Sequence, residues 1–177
     1  MFKRFFILIS IFFLSAFANA QIQRNFNGIV LGKATKKEII NNIYRKGICP
    51  DEECGGKYIV ASGDISFGGV IWNFAAYELY NGTFFRIIYT KSGRSYGEKK
   101  KIDDIYCKLR NDLLKKYTNK KIPSSNTVIP DNLYIKDKNT TVEIKRFYDE
   151  NGRFYVKLIY TDILLSNKAR KKDYNEL

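Results

Sequence analysis

With 177 residues, 31 Lys and Arg against 18 Asp and Glu, and a formal net charge of +13, the chain is basic and sized for one domain. It contains no histidine. That excludes Ser-His-Asp and Cys-His nucleophile pairs, histidine-containing zinc sites and the usual imidazole proton shuttle.

The chain opens on a signal-peptide pattern. Lys3 and Arg4 form a positive start, Phe5 to Phe17 is almost unbroken apolar sequence, and Ala18-Asn19-Ala20 offers small residues at the positions a signal peptidase accepts. The apolar run is shorter than the roughly 20 residues needed to cross a bilayer. No cysteine sits at the cut, and no later segment is apolar enough to span. Residues 1–20 are therefore expected to be removed, leaving a periplasmic or secreted domain over residues 21–177. Losing Lys3 and Arg4 takes the charge from +13 to +11. The remaining lysines are scattered, with short clusters at Lys99-Lys100-Lys101 and Arg170-Lys171-Lys172. Scattered lysine reads first as a solvated surface and second as a surface for an anionic partner.

Asn25 to Gly32 reads as a short strand or turn. Thr35-Lys36-Lys37-Glu38 is a capping box, and Ile39, Ile40, Ile43 and Tyr44 follow at helical spacing, with Gly47 placed to end the helix left-handed. The next segment is predicted to be a loop holding Cys49 and Cys54. An oxidising compartment favours a disulfide between them, which would pin the loop. Zinc does not suit that spacing, and Cys107 falls on a helix as a free thiol.

Strands are predicted at Tyr58–Ala61, Val70–Tyr80 and Phe84–Thr90, the last two flanking the hairpin signal Asn81-Gly82. A polar stretch from Lys91 to Lys101 leads into a helix whose apolar stripe is Ile102, Ile105, Tyr106, Leu109, Leu113 and Tyr117. Asp103 and Asp104 fall in its first turn on this reading, and Lys115 and Lys116 in its last. After a Ser/Pro loop from Lys121 to Pro130 come strands at Leu133–Ile135, Thr141–Tyr148 and Phe154–Leu164. Asn151-Gly152 lies between the last two, and a short helix is expected after Ser166.

The order of helix, short strand and hairpin occurs twice, over about residues 26–91 and 98–164. Asn81-Gly82-Thr83-Phe84-Phe85-Arg86-Ile87-Ile88-Tyr89-Thr90 matches Asn151-Gly152-Arg153-Phe154-Tyr155-Val156-Lys157-Leu158-Ile159-Tyr160-Thr161 with one insertion. The expected fold is α+β: two helix-plus-antiparallel-strand repeats sharing one sheet, with the helices on one face. This arrangement resembles the β-lactamase-inhibitor-protein architecture and the small envelope lipoproteins of the SmpA/OmlA kind. Phe26-x-Gly28-x-x-x-Gly32 before a capped helix, and Gly68-Gly69-Val70-Ile71-Trp72 opening a strand, are also similar to stretches of secreted bacterial proteins. The resemblance covers most of Phe26 to Thr161 as architecture. It implies a concave sheet that grips a protein, and it assigns no contact residue; the lipoprotein cysteine is absent.

No catalytic residues, cofactor or metal ligands emerge. Asp51-Glu52-Glu53, Asp103-Asp104 and Asp149-Glu150 read as loop, helix start and hairpin turn. Strand alternation is more informative. A three-residue turn with a bulged glycine places Tyr148, Arg146, Ile144 and Val142 opposite Phe154, Val156, Leu158 and Tyr160. The other face of that hairpin then carries Thr141, Glu143, Lys145, Phe147, Tyr155, Lys157, Ile159 and Thr161. The same register in the first hairpin puts Ala75, Tyr77, Phe85, Ile87 and Tyr89 in the core. It leaves Trp72, Phe74, Phe84, Arg86 and Ile88 as an apolar patch on the outer face, a candidate binding site. A register shifted by one residue makes Trp72 core instead. The expected function is an exported, non-catalytic protein that uses this open sheet face to hold a protein or cell-envelope component. The alternative is a basic protein that binds an anionic polymer or lipid headgroup, and a hydrolase without histidine ranks third.

Overall fold

A computed structural model describes residues 21–118 and 130–175, without the side chains of Cys54 and of residues 173–175. The predicted signal peptide and nearly all of the Ser/Pro loop lie outside the described residues.

Two short strands, β1 (Asn25–Phe26) and β2 (Ile29–Val30), form a hairpin ahead of the first helix, α1 (Lys36–Tyr44). The capping box forms as its sequence predicts: Glu38 accepts from the Thr35 amide, and the Thr35 hydroxyl accepts from the Glu38 amide. Gly47 adopts φ 73°, ending the turn that follows the helix.

Seven antiparallel strands then build one sheet. In chain order they are β3 (Pro50–Glu53), β4 (Tyr58–Phe67), β5 (Val70–Tyr80), β6 (Thr83–Gly93), β7 (Asn132–Lys136), β8 (Thr140–Tyr148) and β9 (Phe154–Asp162). Their order across the sheet is β3-β4-β5-β6-β9-β8-β7. The second helix, α2 (Tyr96–Tyr117), separates β6 from β7, and α3 (Ile163–Asn175) follows β9 directly. The fold is thus α+β, with three helices among the described residues.

Beside the longer β4, which continues past the predicted Ala61 to Phe67, three elements differ from expectation. The loop before β4 is itself a strand, β3. Helix α2 starts six residues early because Ser95-x-x-Glu98 is a second capping box; Glu98 accepts from the Ser95 amide and Ser95 Oγ from the Glu98 amide. Asp103 therefore lies inside the helix, where it pairs with Arg146 on β8 at 2.9 Å. Helix α3 starts at Ile163 rather than after Ser166, because Asp162 Oδ1 accepts from the Leu165 amide and caps it.

The core lies on one face of the sheet. The stripe Ile102, Tyr106, Leu109, Leu113 and Tyr117 of α2 packs there with Ile39 and Ile43 of α1 and with Ile59, Ile87, Val142, Ile144, Val156 and Leu158 of the strands. Phe26, Phe67, Tyr89 and Tyr160 form its aromatic centre; the Phe67 and Tyr89 rings stack with centroids 4.4 Å apart. Helix α3 departs from the expectation of helices on one face. It lies along the opposite face, where it packs against β5, β6 and β9.

The N-terminal segment ties the ends of the fold together. Arg24 pairs with Asp162 and also donates to Thr140 Oγ1 and the Leu31 carbonyl. Gly32 sits at φ 81° against this cluster; a Cβ there would come within 2.6 Å of the Asp162 carboxylate. This close approach is the physical reason for Gly32; Gly28 instead takes a left-handed φ of 91° in the turn between β1 and β2.

The expected Cys49–Cys54 bridge is not formed. Cys49 is an exposed free thiol. Between the two cysteines, the four residues of β3 pair with β4 in extended conformation and span about 10 Å. A disulfide needs Cα atoms within about 7 Å, so sheet pairing overrides the loop that the bridge required. Cys107 is a half-buried free thiol on α2, as expected.

Candidate functional site

The five residues of the predicted apolar patch do not share a face. Trp72 and Phe84 are fully buried in the core, whereas Phe74, Arg86 and Ile88 lie on the outer face. Two phase changes in the pleat separate them. In β5 the buried positions run Val70 and Trp72, then Ala75 and Tyr77, so alternation shifts by one residue. That shift sits where the pairing with β4 is irregular, between Ser62 and Ile65. In β6, Leu79 opposes Phe84 but Glu78 opposes Arg86, leaving Phe85 as a bulge. Asn81 (φ 49°) and Gly82 (φ 74°) make the turn between these strands a tight two-residue one. Phe84 is therefore pulled into the core, where the Ala34 carbonyl accepts from its amide. The Trp72 indole N–H donates to the Phe67 carbonyl at 3.0 Å.

The second hairpin has the register that alternation predicts, Tyr148 opposite Phe154 through Val142 opposite Tyr160. Its outer face continues that of β5, β6 and β7, and direct cross-strand partners form three rows. The first is Glu78, Arg86, Thr161, Thr141 and Lys136. The second is Ala76, Ile88, Ile159, Glu143 and Tyr134. The third is Phe74, Thr90, Lys157, Lys145 and Asn132. Two residues along a strand separate each row from the next, about 7 Å.

Helix α3 walls this surface with Ile163, Ser166, Asn167 and Arg170, creating an open groove of about 580 Å³. Arg86, Lys136, Lys145, Lys157 and Arg170 line it, against the single carboxylate of Glu143. Two of the cations are partly neutralised. Arg86 Nη1 meets Glu78 Oε2 at 2.8 Å, and Lys145 Nζ lies 3.5 Å from Glu143. Among the described residues, Lys136, Lys157 and Arg170 make no ion pair. Lys157 Nζ sits 5.2 Å from the centre of the Phe147 ring, which stacks on Tyr155.

The groove carries its own electrostatic cost. Burial, and secondarily the Lys145 ammonium across the strand pair, pulls the Lys157 pKa below its ordinary value. Burial raises the Glu78 carboxyl above the usual range, and Arg86 pulls the other way. Positive charge held at this density on a sheet face suits an anion. No His-, Cys- or carboxylate-rich group fit to hold a metal occurs among the described residues.

Sequence alternation places Thr141, Glu143, Lys145, Lys157, Ile159 and Thr161 together as a polar face. The contributions of Tyr134, Lys136 and α3 were not visible, because they depend on which strand takes the edge and on which face α3 lies. Searches of protein-family models, curated proteins and solved structures returned no match.

Proposed function

We propose that the chain is an exported, non-catalytic binding protein that holds an anionic cell-envelope component on the outer face of its sheet. The observation that carries this reading is the groove charge: five cations against one carboxylate, two of the cations directly opposed. Export rests on the n-region, apolar run and Ala18-Asn19-Ala20 of the sequence. The meeting of β4-β5-β6 with β9-β8-β7 at the centre of the sheet supports reading the two halves as repeats of one unit. Among the described residues no helix is long and apolar enough to cross a membrane.

Two measurements test the proposal. The intact mass of exported protein should correspond to a chain starting at Gln21; retention of residues 1–20 overturns export. Binding of that chain to inorganic polyphosphate should weaken steeply as salt rises, because released counterions drive such association. Lys145→Ala/Lys157→Ala should weaken it at least ten-fold. Lys100→Ala/Lys101→Ala removes the same charge from exposed positions on α2 and should weaken it less than three-fold. Equal losses in the two double variants would make net charge, rather than the groove, the binding determinant.

A further inference from the structure

We infer that the groove ligand is an acidic oligosaccharide, a class defined by the hydrogen-bonding groups between the cations. This rests on the anion-binding reading above and narrows it.

The two outer rows of the groove lie four residues apart along the strands, about 13 Å. Arg86 and Lys136 flank Thr161 and Thr141 in one row; Lys157 and Lys145 lie side by side in the other. A ligand that meets both rows carries at least two separated anionic groups, so it is an oligomer rather than a lone anion. Between Arg86 and Lys136 the first row is neutral and hydroxylated, and the middle row that separates it from the lysines carries Ile88, Ile159 and Glu143. Thr141 and Thr161 are direct partners across β8 and β9, and Ser166 and Asn167 face the same space from α3. Thr161 Oγ1 accepts from Arg86 Nε at 3.2 Å, which leaves its O–H to donate. Hydroxyls and amides that both donate and accept match the peripheral hydroxyls of a sugar.

The same geometry disfavours a peptide and a lipid. The floor strands β6, β9 and β8 each pair on both sides, so their N–H and C=O groups are committed to the ladder. An extended peptide gains its affinity at a sheet edge from such groups, and on this face its amides would find only side chains. An acyl chain needs a continuous apolar channel. Here Ile88, Ile159 and Ile163 are interrupted by Thr141, Glu143 and Thr161.

Binding of the chain from Gln21 to oligogalacturonate and to polyglutamate of equal charge tests this, by calorimetry at one fixed salt concentration. The expected result is at least ten-fold tighter binding to oligogalacturonate. Thr141→Val/Ser166→Ala, a change at two half-buried groove positions checked for unchanged circular dichroism, should reduce that preference to under three-fold and leave polyglutamate affinity unaltered. Lys145→Ala/Lys157→Ala should weaken both. If polyglutamate binds as well as the sugar, or if the Thr141 and Ser166 variant loses nothing, the oligosaccharide class is wrong while the anion groove stands. If neither polymer binds, or the lysine variant is without effect, the groove reading itself falls.

Discussion

Lys145 and Lys157 stand directly opposite each other on β8 and β9, two ammonium-bearing side chains rooted in one cross-strand pair on the outer face. Like charges so placed destabilise a sheet by a few tenths of a kcal/mol up to about 1 kcal/mol. Lys157→Met keeps a flexible chain over Phe147 and removes the repulsion. Denaturant unfolding should show it about 0.5 kcal/mol more stable than the parent, while polyphosphate affinity falls. A gain in stability together with a loss of binding identifies the pair as held for function; a loss of both assigns Lys157 a structural role.

Cys49 is exposed and unbridged, and β3 holds its chain extended. Alkylation of the folded protein without reductant should therefore label Cys49, read by peptide mass mapping. The half-buried Cys107 should react more slowly, since thiol reactivity follows access to the thiolate. A Cys49–Cys54 peptide in the unreduced digest would mean that β3 detaches from β4 during oxidation.

Much of the fold is legible from local chemistry. The capping box at Thr35 and the stripe from Ile102 to Tyr117 read directly, because each signal is contained in a few neighbouring residues. The second hairpin reads too: Asp149 Oδ1 accepts from the Asn151 and Arg153 amides and fixes a three-residue turn with Gly152 at φ 70°. The first hairpin carries the same Asn-Gly pair but turns in two residues. What distinguishes them is the bulge at Phe85, set by the N-terminal segment bonding to Phe84 and by the need to bury that ring. Such causes are tertiary, and one slipped residue exchanges the two faces of a strand. The patch built on Trp72 and Phe84 failed for this reason, while Arg86 and Ile88, beyond the bulge, stayed on the outer face.

Tyr77, Tyr89 and Tyr160 give the fold an alkaline limit. Burial raises all three hydroxyl pKa values above the ordinary 10, Tyr77 to about 12. A raised folded pKa means the folded state holds its proton more tightly than the unfolded chain. The associated stability is complete below pH 10 and is lost as the pH climbs through the folded values. Thermal midpoints should accordingly be insensitive to these groups at neutral pH and fall above about pH 10. Tyr77→Phe removes one such proton and should make the fall from pH 10 to 12 shallower; an unchanged slope would take Tyr77 out of the linkage.

Trp72 decides between core and binding surface. Its side chain is fully buried, its ring lies 5.7 Å from that of Tyr89, and its N–H is satisfied by Phe67. Trp72→Ala should therefore cost about 3–5 kcal/mol, the range for emptying a large aromatic site in a core. Trp72→Phe keeps most of the apolar contact but leaves the part-buried Phe67 carbonyl without its donor, and should cost about 1–3 kcal/mol. Urea unfolding of both variants reads these values. Polyphosphate binding, measured where each variant is fully folded, should match the parent, because Trp72 faces away from Lys145 and Lys157. A Trp72→Ala protein that keeps its stability and loses its ligand would return this residue to the binding surface and overturn the register of β5 beside the groove.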